Sequence, residues 1–169
     1  MTTANRWLAM LVVLLALAAG LGAALTWRTH GDRAVAATRE ERYGAVLAAA
    51  DAEVTAFVNL RYDHASRSLD AVARGATGDF RDHYARSAAT VVRVLERNRS
   101  VMTGRVVWSG VSQLSGDRAT VIAATTGTVS NVRTHGKDQA RDFRFRVSLV
   151  REDGRWLTSD IEFVGGGSR

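Results

Sequence analysis

The run "LAMLVVLLALAAGLGAALT", Leu8 to Thr26, sets nineteen residues in succession without a charge. At about 1.5 Å per residue, a helix of this length reaches across the roughly 30 Å hydrocarbon core of a bilayer. Trp7 and Trp27 bracket the run and Arg6 and Arg28 lie just outside it, the order in which aromatic and charged groups meet the two membrane interfaces. The pattern predicts a membrane helix over 7–27, a short cytoplasmic tail over 1–6 and a linker over 28–33. A cleaved signal peptide is the rival reading, since Ala16-Leu17-Ala18 has the small-x-small form of a cleavage site. The apolar run continues past that point with no polar segment before it, which favours an anchor. Orientation is contested within the sequence: Arg28, Arg33, Arg39 and Arg42 lie beyond the run, and the positive-inside rule alone would keep the C-terminal domain in the cytoplasm.

The remaining chain is long enough for one domain, predicted over 34–164, with 165–169 as a flexible tail. It has no cysteine, which excludes a disulfide frame and thiolate metal sites, and no proline to interrupt a helix. Lys137 is the sole lysine among many arginines, a bias that weakens any reading of the high net charge as selection for a polyanionic partner.

Helices are predicted over 34–98. Tyr43, Leu47, Ala50, Val54 and Phe57 recur at helical spacing over 34–61, with Glu40, Glu41, Asp51 and Glu53 mostly off that face. A second helix over 66–74 carries Leu69, Val72 and Ala73 and stops near Gly75, a residue suited to a C-terminal cap. Thr77 is placed to cap a third helix, with Asp79 in its first turn and Phe80, Tyr84, Ala88, Val91 and Leu95 as its stripe. From Ser100 the period changes to two. Four strands are predicted over 100–164, giving an α+β fold with three helices on one face of a curved four-stranded antiparallel sheet.

The last two strands carry their own register. A three-residue loop Glu152-Asp153-Gly154 pairs Phe143 with Phe163, Phe145 with Ile161 and Leu149 with Leu157 on the inner face. Outside, it pairs Arg144 with Glu162, Arg146 with Asp160 and Val150 with Trp156. The acids of this hairpin are then structural partners of arginines, and a two-residue loop would set Leu149 against Thr158.

Three stretches, "RYDHASRSLDAVARGATGDFRDHYA", "GDRATVIA" and "REDGRWLTSDIEFV", together with the order of segments, resemble the Mce-associated membrane proteins of actinobacteria. The resemblance covers nearly the whole chain. It implies an exported domain with the cone fold of nuclear transport factor 2 (NTF2) and SnoaL-like proteins, on the outer side of the cytoplasmic membrane, with the N-terminus inside. It also implies a non-enzymatic accessory role, stabilising or recruiting Mce transporter proteins or their permease, with lipid as a candidate ligand. It assigns no site residues and no cofactor.

Other readings stay open. Scaffold subunits of type IV secretion or conjugation channels share the plan of tail, anchor and exported cone. Cone-fold isomerases and dehydratases place acids and tyrosines inside the cone, and Asp63, Asp70 and Tyr84 are the trio that would converge there. For protein contact, Trp108 and Trp156 are candidates on the outer sheet face, and Arg86, Arg93 and Arg97 form a row on the third helix. That row suits anionic headgroups or an acidic protein better than nucleic acid. No zinc, phosphate-loop or nucleophile-elbow spacing is present, and oligomeric state is not legible.

Overall fold

The computed structural model describes residues 39–165. The membrane helix expected over 7–27 and the linker over 28–33 lie outside the described residues, among which no helix is long and apolar enough to cross a membrane. The chain divides into two compact units, Met1–Arg42 and Tyr43–Arg169, and the second contains the sheet.

Helix α1 runs to residue 57 from at least 39. It is followed by a two-residue strand β1 (Leu60–Arg61), a single 3-10 turn at Tyr62–His64, and helices α2 (Ala65–Gly75) and α3 (Gly78–Asn98). Strands β2 (Val101–Ser115), β3 (Arg118–Ser130), β4 (Gln139–Glu152) and β5 (Arg155–Phe163) complete an antiparallel sheet in the order β1-β2-β3-β4-β5. The α+β class and the three helices agree with the sequence expectation. The sheet has five strands rather than four, because residues 60–61, expected at the end of the first helix, pair with Met102 and Val101.

Asn59 explains that break. Its Nδ2 donates to the carbonyls of Thr55, 2.7 Å, and Gly104, 2.8 Å, and its Oδ1 accepts from the Gly104 N–H at 3.2 Å. One carboxamide thus caps the end of α1 and continues the β1–β2 ladder by one rung, satisfying backbone groups that helix and strand would each leave open.

The core lies between α1 and the concave sheet face. Val46, Ala50, Val54 and Val58 of α1 and its C-terminal end meet Ala119, Val121 and Ala123 of β3, Phe145, Val147 and Leu149 of β4, and Trp156. Tyr43, expected on the buried stripe, is exposed, and the centre of the stripe falls one residue before Leu47. Opposite Val58, Gly104 and Gly127 pair directly. A Cβ at Gly127 would overlap the Thr103 carbonyl oxygen, so only glycine lets the two backbones approach this closely.

The closing hairpin differs from the expected one. Its loop is two residues, Asp153-Gly154, with φ of 49° and 80°, the double positive φ of a type I′ turn, which matches the twist of the flanking strands. Leu149 then faces Thr158, Val150 faces Leu157 and Arg151 faces Trp156. A bulge at Ser159 restores the alternation, so that Ser148 faces Asp160, Val147 faces Ile161, Arg146 faces Glu162 and Phe145 faces Phe163. The arginine partner of Glu162 is therefore Arg146, at 3.0 Å, and not Arg144. All six expected pairings are displaced: those of Leu149 and Val150 by the two-residue turn, and those of Phe143, Arg144, Phe145 and Arg146 by the turn and the bulge together, and the bulge has no signature in the period.

Candidate functional site

Each face of the sheet presents one group that packing alone does not explain. On the inner side it is Glu53. In α1, residues 46, 50, 53 and 57 lie in one row, because steps of four, three and four residues return close to the same angle. Glu53 thus projects from the middle of the buried face, not off it as the sequence reading has it, and is only 3% exposed. Its Oε1 is buried with no hydrogen-bond partner. Burial pushes its pKa up to about 8, so the side chain is a neutral carboxylic acid at physiological pH.

Two elements close over it. The carboxyl lies against Gly75, the last residue of α2, where a Cβ would overlap Oε2. Gly75 is not left-handed, and the residue after it is extended, with φ −98° and ψ 154°. The glycine expected as a helix cap is required instead for the space the carboxyl occupies. Ala76 bridges to Thr158 of β5, and the Thr77 N–H donates to the Thr158 carbonyl at 2.8 Å. The Thr158 hydroxyl is likewise buried without a partner. Thr77 does precede α3, but its hydroxyl donates to Glu152 Oε2 at 2.9 Å and does not cap the helix. From α3, half-buried Tyr84 has its phenol raised to about 12 by burial and, to a lesser extent, by Glu53, which is ionised in the alkaline range where the phenol titrates.

Of the trio Asp63, Asp70 and Tyr84, the last alone is coupled to this buried acid. Asp63 is exposed and held by Arg61 at 2.7 Å, and that hydrogen bond keeps its pKa below the usual range. Asp70 is exposed on α2. Glu53 was detectable in principle, since it stands three residues after Ala50 and four before Phe57, but a charged residue inside an apolar row reads as a boundary of the row. Among the described residues no group of three or more His, Asp or Glu side chains is placed to hold a metal ion.

On the outer side the group is Trp108. Met102, Gly104 and Val106 point inward, and strict alternation would send residue 108 inward with them. A bulge at Val107 reverses the order, so that Val106 faces Thr125 while Trp108 faces Ala124. The indole is 58% exposed and lies over Gly110, where a Cβ would come within 3.0 Å of the ring. Across β3, Arg144 pairs with Ala124, and Arg105 pairs with Thr126 on the near side. Trp156 is not on this surface: it is 9% exposed and belongs to the core, because the two-residue turn moves it out of the expected register with Val150. Arg86, Arg93 and Arg97 are exposed on α3 at spacings that share one face.

An antiparallel sheet wrapped on one side by three helices is the arrangement expected of an NTF2-like α+β domain. Solved structures agree on this fold. An IcmL-like type IV secretion system protein from Legionella pneumophila superposes with a TM-score of 0.56 at 10% identity over 72% of this chain and 93% of that one. A ketosteroid isomerase-like protein from Erwinia carotovora gives 0.55 at 24% identity over 72% and 93%, and a periplasmic fragment of TraM gives 0.55 at 10% identity over 71% and 95%. By sequence, the chain belongs to the family described as Uncharacterized protein Rv1363c/MT1408-like, which matches residues 3–165. The Mycobacterium tuberculosis (strain ATCC 25618 / H37Rv) protein Rv1363c is 30% identical over 157 residues. That alignment takes in 93% of this chain but 58% of the relative's own length.

Proposed function

We propose that this chain is a single-pass membrane-anchored accessory protein that acts by binding other proteins rather than by catalysis. In this reading its N-terminus is inside, its NTF2-like domain stands on the outer side of the cytoplasmic membrane, and its partners are components of an Mce-type lipid-import system. The observation that carries the proposal is the outer sheet face, where a bulge turns Trp108 outward onto the face that also carries Arg105 on the same strand and Arg144 two strands away. An exposed indole on a strand, on a face that also presents arginines, has the make-up of an interface centre. The apolar run Leu8 to Thr26 supports the anchor, and the resemblance in segment order supports the Mce assignment. Tethering would raise the local concentration of the domain near membrane partners, so a modest affinity suffices.

A second reading, a scaffold subunit of a type IV secretion or conjugation channel, draws on the shared fold of the Legionella protein and TraM. One experiment separates the two. A photo-crosslinking amino acid is placed at position 108 of the full-length chain in its native host, and the adducts are identified by mass spectrometry. Mce subunits or their permease support the proposal, and channel subunits transfer it to the second reading. Absence of any protein adduct from position 108, with adducts from a control position on α3, would overturn the outer-face assignment altogether.

A further inference from the structure

Strands β3 and β4 continue past the point where Val58 ends the contribution of α1 to the core, with Gly127 opposite Arg141 and Val129 opposite Gln139. The turn that joins them is ordered by its own hydrogen bonds. Asn131 Oδ1 accepts from the N–H groups of Arg133, at 2.8 Å, and Thr134, at 3.2 Å, and the Thr134 hydroxyl accepts from the Asn131 N–H at 3.0 Å. These bonds satisfy the backbone of the turn without either arginine side chain, so Arg133 is carried on an ordered support. On β4, Gln139 and Arg141 are two residues apart and share a face. Between turn and strand lies an open cleft of about 550 Å3, lined by Asn131, Arg133, Thr134, Gln139 and Arg141. Small-molecule sites occupy about 300–1,000 Å3.

The lining contains no acid. Asp142 lies on the opposite face of β4 from Arg141, and among the described residues neither Arg133 nor Arg141 is paired with a carboxylate. Arg61 and Arg146, by contrast, each hold one. Arg141 Nη1 donates to the Ala140 carbonyl at 2.8 Å, which steadies the guanidinium and leaves its remaining N–H groups for another acceptor.

We propose that this cleft binds a phosphate monoester, with Arg133 and Arg141 pairing its charged oxygens and Asn131 and Gln139 donating further hydrogen bonds. Two guanidinium groups match the charge of about −1.5 to −2 that a phosphate monoester carries near neutral pH, and their planar forks fit its oxygens. A carboxylate would leave one cation unmatched. The rest of the cleft has room for the esterified group. A soluble phosphate ester and a phosphatidic acid headgroup present the same chemistry, and the test separates them. The cleft shares no residue with the Trp108 face, so this inference and the outer-face interface can fail independently.

Glycerol 3-phosphate, and dihexanoyl phosphatidic acid kept below its micellar concentration, are titrated calorimetrically into the full-length chain in phosphatidylcholine nanodiscs, with empty nanodiscs as blank. The expected result is saturable binding of at least one of them, weakened about tenfold by Arg133→Ala or by Arg141→Ala. Arg81→Ala, which removes the same charge from an exposed position on α3, should change affinity by less than about twofold. Binding of the lipid tighter by about tenfold or more assigns the headgroup as the source, and any smaller difference assigns the soluble ester. No saturable binding of either compound, a variant lacking both cleft arginines that binds like the wild type, or an Arg81→Ala variant weakened as much as the cleft variants would each overturn the proposal. Both cleft arginines are exposed, so the variants are expected to fold, and should an alanine variant misfold, Arg133→Gln and Arg141→Gln make the same comparison.

Discussion

The two faces of one sheet treat polar and aromatic groups in opposite ways. Inside, the aromatic rings are joined: Phe145 lies 4.9 Å from Phe163 and 5.8 Å from Phe57 between ring centroids, and Trp156 is in the core. Outside, Trp108 stands alone over a glycine. The charges are reversed as well. The inner face holds one acid that burial keeps neutral, whereas the outer face pairs Arg146 with Glu162 in solvent, each about half exposed. The inner face is therefore where folding energy resides, and the outer face is free to be chosen for contact.

Substitutions can break or sharpen this contrast. The largest effect is expected from Phe145→Ala, which removes the central inner ring and should cost about 3–5 kcal/mol in denaturant unfolding of the full-length chain. A loss under about 1 kcal/mol would show that the inner face is not the stabilising one. Gly127→Ala comes next, at about 1–3 kcal/mol, because its Cβ meets the Thr103 carbonyl, which belongs to the backbone and cannot swing away.

Glu53 gives a contrast in pH. Folded, it titrates near 8, against an ordinary value of 4.5. Between those values the folded state holds the proton that the unfolded chain has lost, so stability falls as pH rises from 4.5 towards 8 and is level above. Glu53→Gln should flatten that part of the stability profile, and an unchanged slope would mean that the acid is not the buried titrating group. Smaller still, Arg146→Ala should cost about 0.2–1 kcal/mol, the range of an exposed cross-strand pair. Last, Trp108→Ala should change unfolding by less than about 0.5 kcal/mol while weakening the capture of partners at this face, read by crosslinking from a neighbouring outer position. Equal losses of folding and partner capture would make Trp108 structural.

Much of the scaffold was legible. The spacing of Phe80, Tyr84, Ala88, Val91 and Leu95 gave α3, and the alternation from Phe143 to Leu149 gave the inner face of β4. The features that escaped are single-residue events. Val107 and Ser159 are ordinary strand residues, and their bulges arise from pairing with β3 and β4, which local periodicity does not contain. Asn59 resembles any polar residue near a helix end until Gly104 is brought to it. At the inner site Tyr84 was legible and Glu53 was not, since periodicity treats an acid as a solvent-facing position and cannot register burial that three separate elements create together.

The Asn59–Gly104 pair has a consequence in time. It joins segments 45 residues apart, whereas the β2–β3 and β4–β5 turns each close within two residues. Loop closure over the longer span costs more entropy than closing either hairpin. The sheet can thus assemble its hairpins first and receive α1 late, with one carboxamide as the latch. A chain emerging from synthesis with its N-terminal helix already made would have to wait for β2 before that helix has anything to hold.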